Sequence, residues 1–272
     1  MNKVILITGA SSGIGFETAR ALARRGHKVY ALARRVEKMD ELRPDGVTPL
    51  SLDVTDEESM TAAVREILKA EGRIDVLVNN AGYGFFGPVE TVPPEEARRQ
   101  LEVNVFGLAR MCQLVLPGMR ERGSGRIVNI ASVAGRMSFP FGAWYCVSKY
   151  SVEAISDALR VEMRPFGVHV SVIEPGPIRT AWGEIAAGHL EDSTAGTAYE
   201  GRGLKQAKTF RWAYGSKILP KPSVVTRAIC RAVLSRRPRV RYPVGSGAGL
   251  LIFLHAILPA RWWDGLTGLL SR

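Results

Sequence analysis

A tyrosine and a lysine stand four residues apart near the middle of the chain, at Tyr145 and Lys149. On a helix this spacing places both side chains on one face. An ammonium beside a phenol favours the phenolate, so the pair could exchange protons near neutral pH. Ser132 ends an apolar run upstream and could join them. Such a Tyr/Lys pair is common on helix surfaces, so its chemistry depends on what else the chain supplies.

A glycine-rich segment follows the first apolar run, Val4–Thr8, and precedes a helical pattern over 16–25. Strand, glycine loop and helix in this order are typical of a dinucleotide site, where backbone N–H groups at the helix N-terminus bind a pyrophosphate. The alternative is an ordinary tight turn. The residues expected to contact the cofactor in this loop are Gly9, Ser11, Ser12, Gly13, Ile14 and Gly15.

Two arginines directly follow the second predicted strand, 29–33. A site that prefers NAD places an acidic residue there, on the ribose 2′-hydroxyl. Arg34 and Arg35 occupy the position instead, and guanidinium groups suit a 2′-phosphate. The sequence therefore predicts NADP(H), with NAD(H) less favoured. The alternative is that both arginines simply begin a solvated helix over 36–42.

Polar and small residues follow the next two predicted strands, 50–54 and 74–78. Asp53 is placed to accept a hydrogen bond from an adenine amino group. Asn80, Ala81 and Gly82 would let the chain pass close to a cofactor, although asparagine and glycine also serve ordinary turns. Asn104 lies inside a helical pattern over 94–122, where it could donate to a backbone carbonyl and hold a water, or merely cap a kink.

Strand and helix patterns continue to alternate along the chain, with strands predicted at 126–132, 168–174 and 240–244 and helices at 143–166 and 224–234. Short connections between them predict an α/β fold. We expect one Rossmann-type, doubly wound parallel sheet of about seven strands, in a single domain spanning residues 1–272. A helical substrate lid over 181–222 and a C-terminal helix within an apolar extension, 246–272, would complete it.

These motifs together resemble the short-chain dehydrogenase/reductase family, in its compact branch and its hydroxysteroid and retinol dehydrogenase-like members. The resemblance covers residues 3 to about 180. Its carriers are the glycine loop, Asp53-Val54, Asn79-Asn80-Ala81-Gly82, Asn104, Ser132, Tyr145 with Lys149, and Pro175-Gly176. It implies an oxidoreductase that interconverts a carbonyl and an alcohol by hydride transfer to or from a nicotinamide.

The resemblance also implies the role of each residue. Tyr145 would protonate the carbonyl oxygen or deprotonate the alcohol, and Lys149 would lower the pKa of this tyrosine and bind the nicotinamide ribose. Ser132 would bind the substrate oxygen, and Asn104 would hold a water behind Lys149. Further cofactor contacts would come from Val54, Asn80, Ala81, Gly82, Pro175, Gly176, Ile178 and Thr180. Phe139 and Trp144, with Met137 and Phe141, are candidates for an apolar substrate wall beside Tyr145.

The net charge of +11 is concentrated in one segment. Residues 201–263 carry 13 Lys and Arg and no acid, whereas residues 1–200 carry 23 basic and 25 acidic side chains. Arg202, Lys205, Lys208 and Arg211 form a basic stripe on an amphipathic helix, which suits a lid with a solvated face or contact with a membrane or an acidic tail. Trp262 and Trp263 suit a membrane interface, a cavity cover or a subunit contact.

Several function classes are disfavoured. The histidines and cysteines have no metal-ligand spacing, and no nucleic-acid motif accompanies the charge. With no signal peptide and no run of about 20 apolar residues, we expect a cytoplasmic, oligomeric enzyme, with membrane association by residues 201–272 left open. The expected substrate is a sterol, a retinoid or a lipid-like molecule, with or without an anionic head. The alternatives are a non-catalytic NADP(H) sensor and a membrane-peripheral acyl-ketone reductase. The family resemblance implies a homodimer or homotetramer packed through the helices that hold Asn104 and Tyr145.

Overall fold

Seven strands form one parallel sheet in the computed structural model, which describes residues 2–270. The strands are β1 (Val4–Thr8), β2 (Lys28–Ala33), β3 (Val47–Ser51), β4 (Val76–Asn79), β5 (Gly125–Ile130), β6 (Val168–Pro175) and β7 (Arg241–Val244). Their order in the sheet is β3-β2-β1-β4-β5-β6-β7. It reverses between β1 and β4, and ligands of doubly wound sheets bind in the crevice at such a point. The predicted Rossmann-type α/β fold is confirmed.

Helices cover both faces of this sheet. They are α1 (Gly13–Ala23), α2 (Glu57–Glu71), α3 (Pro94–Leu101), α4 (Gly107–Glu121), α5 (Ala143–Met163), α6 (Trp182–Thr194), α7 (Glu200–Gly215), α8 (Ser223–Leu234), α9 (Ala248–Ile257) and α10 (Ala260–Leu270). The central strands are apolar throughout because both faces are covered. In β1, Ile5 and Ile7 pack towards α1 and α8, while Leu6 packs towards α2, α4 and α5.

The third strand lies earlier than predicted. β3 spans Val47–Ser51 and pairs in register with β2, so Asp53 and Val54 follow the strand instead of ending it. Pro49 within β3 obscures the strand in the sequence, because proline lacks the N–H that a central strand needs. β3 is an edge strand, where a proline is tolerated.

Two predicted helices are interrupted. The pattern over 94–122 divides into α3 and α4, joined by a π-helical turn at Glu102–Phe106. The single C-terminal helix is two, because Pro259 cannot continue α9. The expected helix over 36–42 is a 3-10 segment, Val36–Asp45. Within residues 2–270 no helix combines the length and the apolar character needed to cross a bilayer.

Candidate active site

The glycine loop lies against the segment that follows β4. A Cβ on Gly9 would stand 2.6 Å from Ala81 Cα, and one on Gly15 would stand 2.5 Å from Asn80 Nδ2. Because glycine has no Cβ, Gly9 and Gly15 let the glycine loop touch the segment that follows β4. Asn80 Nδ2 donates to the carbonyl oxygens of Thr8 and Gly9, both at 3.0 Å. The Asn80 side chain thus holds the loop in place.

The N-terminus of α1 is open to an anion. Ser12 occupies the N-cap position, but its side chain makes no capping hydrogen bond, and the first turn holds no acid. Gly13 has φ +57°, a conformation that favours glycine, and a Cβ there would meet nothing within 4 Å. Uncapped N–H groups at the positive end of a helix suit a phosphate. The loop therefore fits the diphosphate of a dinucleotide.

Cationic side chains surround the end of β2. The Arg34 side chain is 69% exposed and has Nη1 3.9 Å from Asp53 Oδ2. Arg35 Nη2 donates to Ser11 Oγ at 3.4 Å. An open depression of about 430 Å³ beside Arg34 is also lined by Thr55, Arg98 and Arg99, and by the carboxylates of Glu95 and Glu102. These donors suit an anionic group on the adenosine end of the dinucleotide.

Asp53 lies beside this cationic group and accepts hydrogen bonds itself. Its Oδ1 atom accepts from Thr55 N at 2.9 Å and from Thr55 Oγ1 at 2.8 Å. Partial burial opposes ionisation, but these bonds and the charges of Arg34 and Arg99 hold the pKa of Asp53 below its ordinary value. An ionised carboxylate is thus available as a hydrogen-bond acceptor. Val54 packs closely against Gly107, since a Cβ on Gly107 would stand only 2.3 Å from Val54 O.

Asn104 sits in the π-helical turn and is only 1% exposed. Its Nδ2 atom donates to Tyr83 O at 2.7 Å and to Ser148 Oγ at 2.9 Å. Its Oδ1 atom accepts from Tyr83 N at 2.8 Å. A π-helical turn in an α-helix frequently marks a functional site. Asn104 therefore makes the predicted donation to a backbone carbonyl, and the water that it would also hold stays a prediction.

The other three candidates meet at the carboxyl ends of β4 and β5. Ser132 Oγ accepts from Ala134 N at 3.1 Å and donates to Pro175 O at 3.3 Å, and it lies within reach of the Tyr145 hydroxyl, whose pKa it lowers. Lys149 Nζ donates to Ile130 O at 2.9 Å and lies 5.8 Å from the centroid of the Tyr145 ring. A Cβ on Gly82 would stand 3.8 Å from Lys149 Nζ and 3.6 Å from Asn104 Oδ1. Gly82 therefore keeps the space between these two side chains open.

Burial sets the protonation of this group. It raises the pKa of Tyr145 to about 12, against a lowering effect of the Ser132 hydrogen bond. It lowers the pKa of Lys149 to about 8, although the Glu153 carboxylate acts in the opposite direction. A raised tyrosine pKa is opposite to the lowering by Lys149 that the resemblance implies. The reason is that desolvation of the phenolate dominates, while Lys149 is not among the groups that shift this pKa and its hydrogen bond goes to Ile130 O.

These side chains open into an apolar cavity of about 590 Å³. Predicted residues that line it are Ile14, Asn80, Gly82, Ser132, Met137, Phe139, Tyr145, Lys149, Pro175, Gly176, Ile178 and Thr180. Trp144 does not line it, because adjacent residues of a helix point in different directions and Tyr145 faces the cavity. Phe141 is likewise absent from the wall and is buried in the lid's apolar cluster.

Sequence reasoning missed several residues of the wall. Trp182 lies 5.4 Å from Tyr145 and 5.5 Å from Tyr214, between ring centroids, and Phe210 packs on Tyr214 at 6.3 Å. Phe210 and Tyr214 lie on α7, the helix that carries the basic stripe. Their spacing of four residues predicts one shared face but does not say what that face covers. Trp182 begins α6 and carried no signal of its own.

The basic stripe predicted on α7 is divided in the structure. Arg211 Nε donates to Glu184 at 2.9 Å, and its guanidinium also binds Glu191. Arg202 lies 5.4 Å from the centroid of the Phe141 ring. Arg211 therefore ties α7 to α6, Arg202 lies against the loop that precedes α5, and the stripe does not act as one free anion site.

The sequence matches the family described as short chain dehydrogenase over residues 3–187. A probable short-chain type dehydrogenase/reductase of Helicobacter pylori, VdlC, is 38% identical over 96% of this chain and 95% of its own length. A 3-ketodihydrosphingosine reductase of Bacteroides thetaiotaomicron is 37% identical over 89% of this chain and 88% of its own. Human 17-beta-hydroxysteroid dehydrogenase type 1 is 43% identical over 70% of this chain and 61% of its own.

Several solved structures are also similar to this chain over most of its length. A short-chain dehydrogenase from Streptomyces avermitilis has a TM-score of 0.81 and 35% identity, covering 100% of this chain and 98% of its own. A metagenomic short-chain oxidoreductase in complex with NADP has a TM-score of 0.69 and 27% identity, covering 88% and 95%. A Burkholderia phymatum relative in complex with NAD has a TM-score of 0.79 and 27% identity, covering 93% and 92%. Similar folds thus bind either dinucleotide.

Proposed function

The chain belongs to the short-chain dehydrogenase/reductase family, and from that premise we propose an NADP(H)-dependent oxidoreductase that interconverts a carbonyl and an alcohol on an apolar substrate. One observation carries the proposal. Ser132, Tyr145 and Lys149 meet in the wall of an apolar cavity that also reaches Ile14, in the first turn of α1. A proton donor, an oxygen-binding hydroxyl and a dinucleotide loop therefore share one space.

The bound nicotinamide would donate or accept the hydride, and the side chains would manage the proton. The raised pKa of Tyr145, about 12, keeps its hydroxyl protonated at neutral pH, which suits a donor to a carbonyl oxygen. Ser132 would bind the same oxygen as charge develops on it. Lys149 would bind the ribose hydroxyls, and Asn104 would hold a water behind Lys149.

The cofactor is proposed to be NADP(H) because an arginine, Arg34, takes the place of an acidic residue directly after β2. Arg34, Arg35 and Ser11 together offer two guanidinium groups and a hydroxyl at the position where a 2′-phosphate is recognised. Gly9, Gly13 and Gly15 would hold the diphosphate with the N–H groups of α1. Asp53 would accept from the adenine amino group.

The substrate is proposed to be bulky and apolar, since aromatic and aliphatic side chains dominate the cavity beyond Tyr145. Phe139, Trp182, Phe210, Tyr214 and Leu251 contribute to these walls. A sterol, a retinoid or a long-chain acyl ketone would fit this chemistry. The names of the relatives that act on a ketosphingoid base and on a hydroxysteroid support the same class.

An anionic head group on the substrate is a second candidate feature, and Lys205 and Lys208 on α7 favour it. Both are exposed and flank Gln206 and Thr209, which line the cavity. Neutralising both lysines to Gln should raise KM for an acyl-coenzyme A ketone and leave KM for a neutral ketone unchanged. Equal KM changes for the two substrates would remove the head group from the proposal.

A substrate panel tests the proposed function. Steroid ketones, retinals, long-chain acyl ketones and quinones are each offered with NADPH and with NADH, and oxidation is followed by absorbance. We expect turnover of apolar ketones, with a higher kcat/KM for NADPH than for NADH. Preference for small polar ketones would contradict the substrate class, and preference for NADH would contradict the cofactor.

A further inference from the structure

Large apolar side chains are exposed on the outer surface of the C-terminal helices. On α9, Leu250, Phe253 and Ile257 are 61%, 58% and 57% exposed and recur at helical spacing along one stripe. On α10, Trp262 is 71% exposed. Contiguous exposed apolar patches of this kind mark interaction sites.

The same helices form the mouth of the substrate cavity with their inner faces. Leu251 of α9 and Trp263 of α10 line the cavity, and so does Leu266, which is 42% exposed and therefore stands at the opening. Across the mouth, α7 contributes Thr209 and Phe210. The exposed patch therefore lies on the outer side of helices that border the site proposed above.

Three of the four elements around the mouth, which are α7, residues 216–221 and α10, pair an exposed apolar residue with a cation. Lys208 precedes Trp212, 68% exposed, by one turn of α7, and Lys217 adjoins Ile218, 72% exposed. Arg261 adjoins Trp262 on α10. No acidic residue occurs between positions 201 and 263, and Asp264 is the first to follow. Tryptophan beside cations is typical of a protein surface at a membrane interface.

We propose that this docking surface, formed by α7, residues 216–221, α9 and α10, binds an anionic lipid bilayer and presents the cavity mouth to it. A second copy of the chain is disfavoured because two cationic surfaces repel when they meet face to face. The proposal that an apolar substrate enters the cavity from the bilayer rests on the proposed function. The docking itself does not. Contact is peripheral, because no helix of residues 2–270 is long and apolar enough to cross the bilayer.

Flotation of the full-length protein tests the docking. Vesicles of phosphatidylcholine alone are compared with vesicles that contain an equal part of phosphatidylglycerol. The variant Lys217→Gln/Lys221→Gln/Arg261→Gln should bind the anionic vesicles about a hundredfold more weakly, since each cation near such a surface contributes a factor of about five. Phe253→Ser/Trp262→Ser, which keeps the charge, should lose at least tenfold. Leu68→Ser/Val89→Ser, which changes exposed apolar residues elsewhere, should bind like the wild type.

NADPH binding and light scattering without vesicles are measured on every variant. Unchanged NADPH affinity shows that the variants are folded, and turnover of a water-soluble ketone should also be unchanged. Absence of wild-type flotation, or equal loss in the control variant, would overturn the docking. Loss of self-association in the docking variants would assign the surface to a second copy. Flotation without turnover of any substrate would leave the docking standing and overturn the proposed function.

Discussion

Tyr145 and Lys149 are both buried, and burial moves their pKa values in opposite directions, each towards the uncharged form. At neutral pH the tyrosine holds its proton firmly. The lysine is still mostly charged, but with a pKa of about 8 it begins to lose its charge just above neutrality. Glu153, one turn further along α5, is the group that opposes this loss.

Removing the Glu153 charge should therefore shift the pH dependence of cofactor binding. Above its own pKa of about 7 the Glu153 carboxylate raises the pKa of Lys149. In Glu153→Gln burial is unopposed, so the pKa of Lys149 falls further and the ammonium is lost at lower pH. We expect NADPH affinity, measured by fluorescence titration, to decline from a lower pH than in the wild type.

Asp157→Asn is the matched control. Asp157, like Glu153, binds Arg241, at 2.6 Å against 3.0 Å, but it is not among the groups that shift the pKa of Lys149. Its pH profile should stay that of the wild type. Equal shifts in the two variants would trace the effect to Arg241 and would show that Glu153 does not act directly on Lys149.

Arg34 and Arg35 should decide between the two dinucleotides. The double variant Arg34→Ser/Arg35→Ser removes both guanidinium groups from the end of β2. A charge-assisted hydrogen bond contributes about 1.5–3 kcal/mol, so we expect the Kd for NADPH to rise at least tenfold and the Kd for NADH to stay within twofold. Both are measured by calorimetry.

Arg65→Ser/Lys69→Ser removes the same charge from the exposed side of α2 and should leave both affinities unchanged. A comparable weakening of NADPH binding in this control would mean that net charge, and not the position of the arginines, governs the preference.

At the scale of elements, the junction of α3 and α4 holds Asn104 in place. Gly107 begins α4 directly after the π-helical turn, and a Cβ there would stand 2.3 Å from Val54 O, a backbone atom that cannot move aside easily. Gly107→Ala should lower the free energy of unfolding by about 1–3 kcal/mol, measured by urea titration. Turnover should fall as well, since the turn that carries Asn104 must shift.

Gly118→Ala is the control within the same helix. A Cβ at Gly118 meets only the end of the flexible Arg122 side chain, at 3.1 Å. Alanine in a helix loses less backbone entropy on folding, so this variant should be as stable as the wild type or more stable by about 0.4–1 kcal/mol. A destabilised Gly118→Ala variant would show that α4 tolerates no change, and that Gly107 has no special role.

The sequence predicts these elements well where one hydrophobic period, helical or extended, dominates. It predicts them less well where a contact between distant segments determines the local structure. β1 and α1 are predicted because an apolar run, a glycine loop and a helical pattern follow one another. The π-helical turn is invisible in the pattern over 94–122, because it depends on hydrogen bonds from Asn104 to Tyr83 and Ser148. Trp182 is missed for the same reason, since only the lid's packing brings it to Tyr145.

At the scale of the whole molecule, exposed apolar residues also lie on the helices that hold the candidate active site. On α5, Val147, Tyr150 and Val161 are 44%, 42% and 64% exposed, and Phe106, beside α4, is 58% exposed. We propose that these helices pack against those of a second copy in a homodimer or homotetramer. This surface is distinct from the docking surface around the cavity mouth.

Substitution on α5 tests the assembly. Val147→Lys/Val161→Lys should reduce the molar mass measured by light scattering to that of one chain, because buried lysines oppose association. Val89→Lys, at a loop position that is 65% exposed, should leave the molar mass of the wild type. A single-chain mass for the wild type would contradict the proposed assembly.

Reduction of an apolar ketone by NADPH in Tyr145→Phe tests the central claim most directly. Loss of one hydroxyl removes the proposed proton donor and leaves the ring packing on Trp182. General acid catalysis contributes about 100- to 10,000-fold, so single-turnover rates should fall by that factor while NADPH affinity stays within about twofold. A variant that keeps the wild-type rate would contradict the assignment of Tyr145. A wild type that binds NADPH and turns over no ketone would instead favour a cofactor sensor.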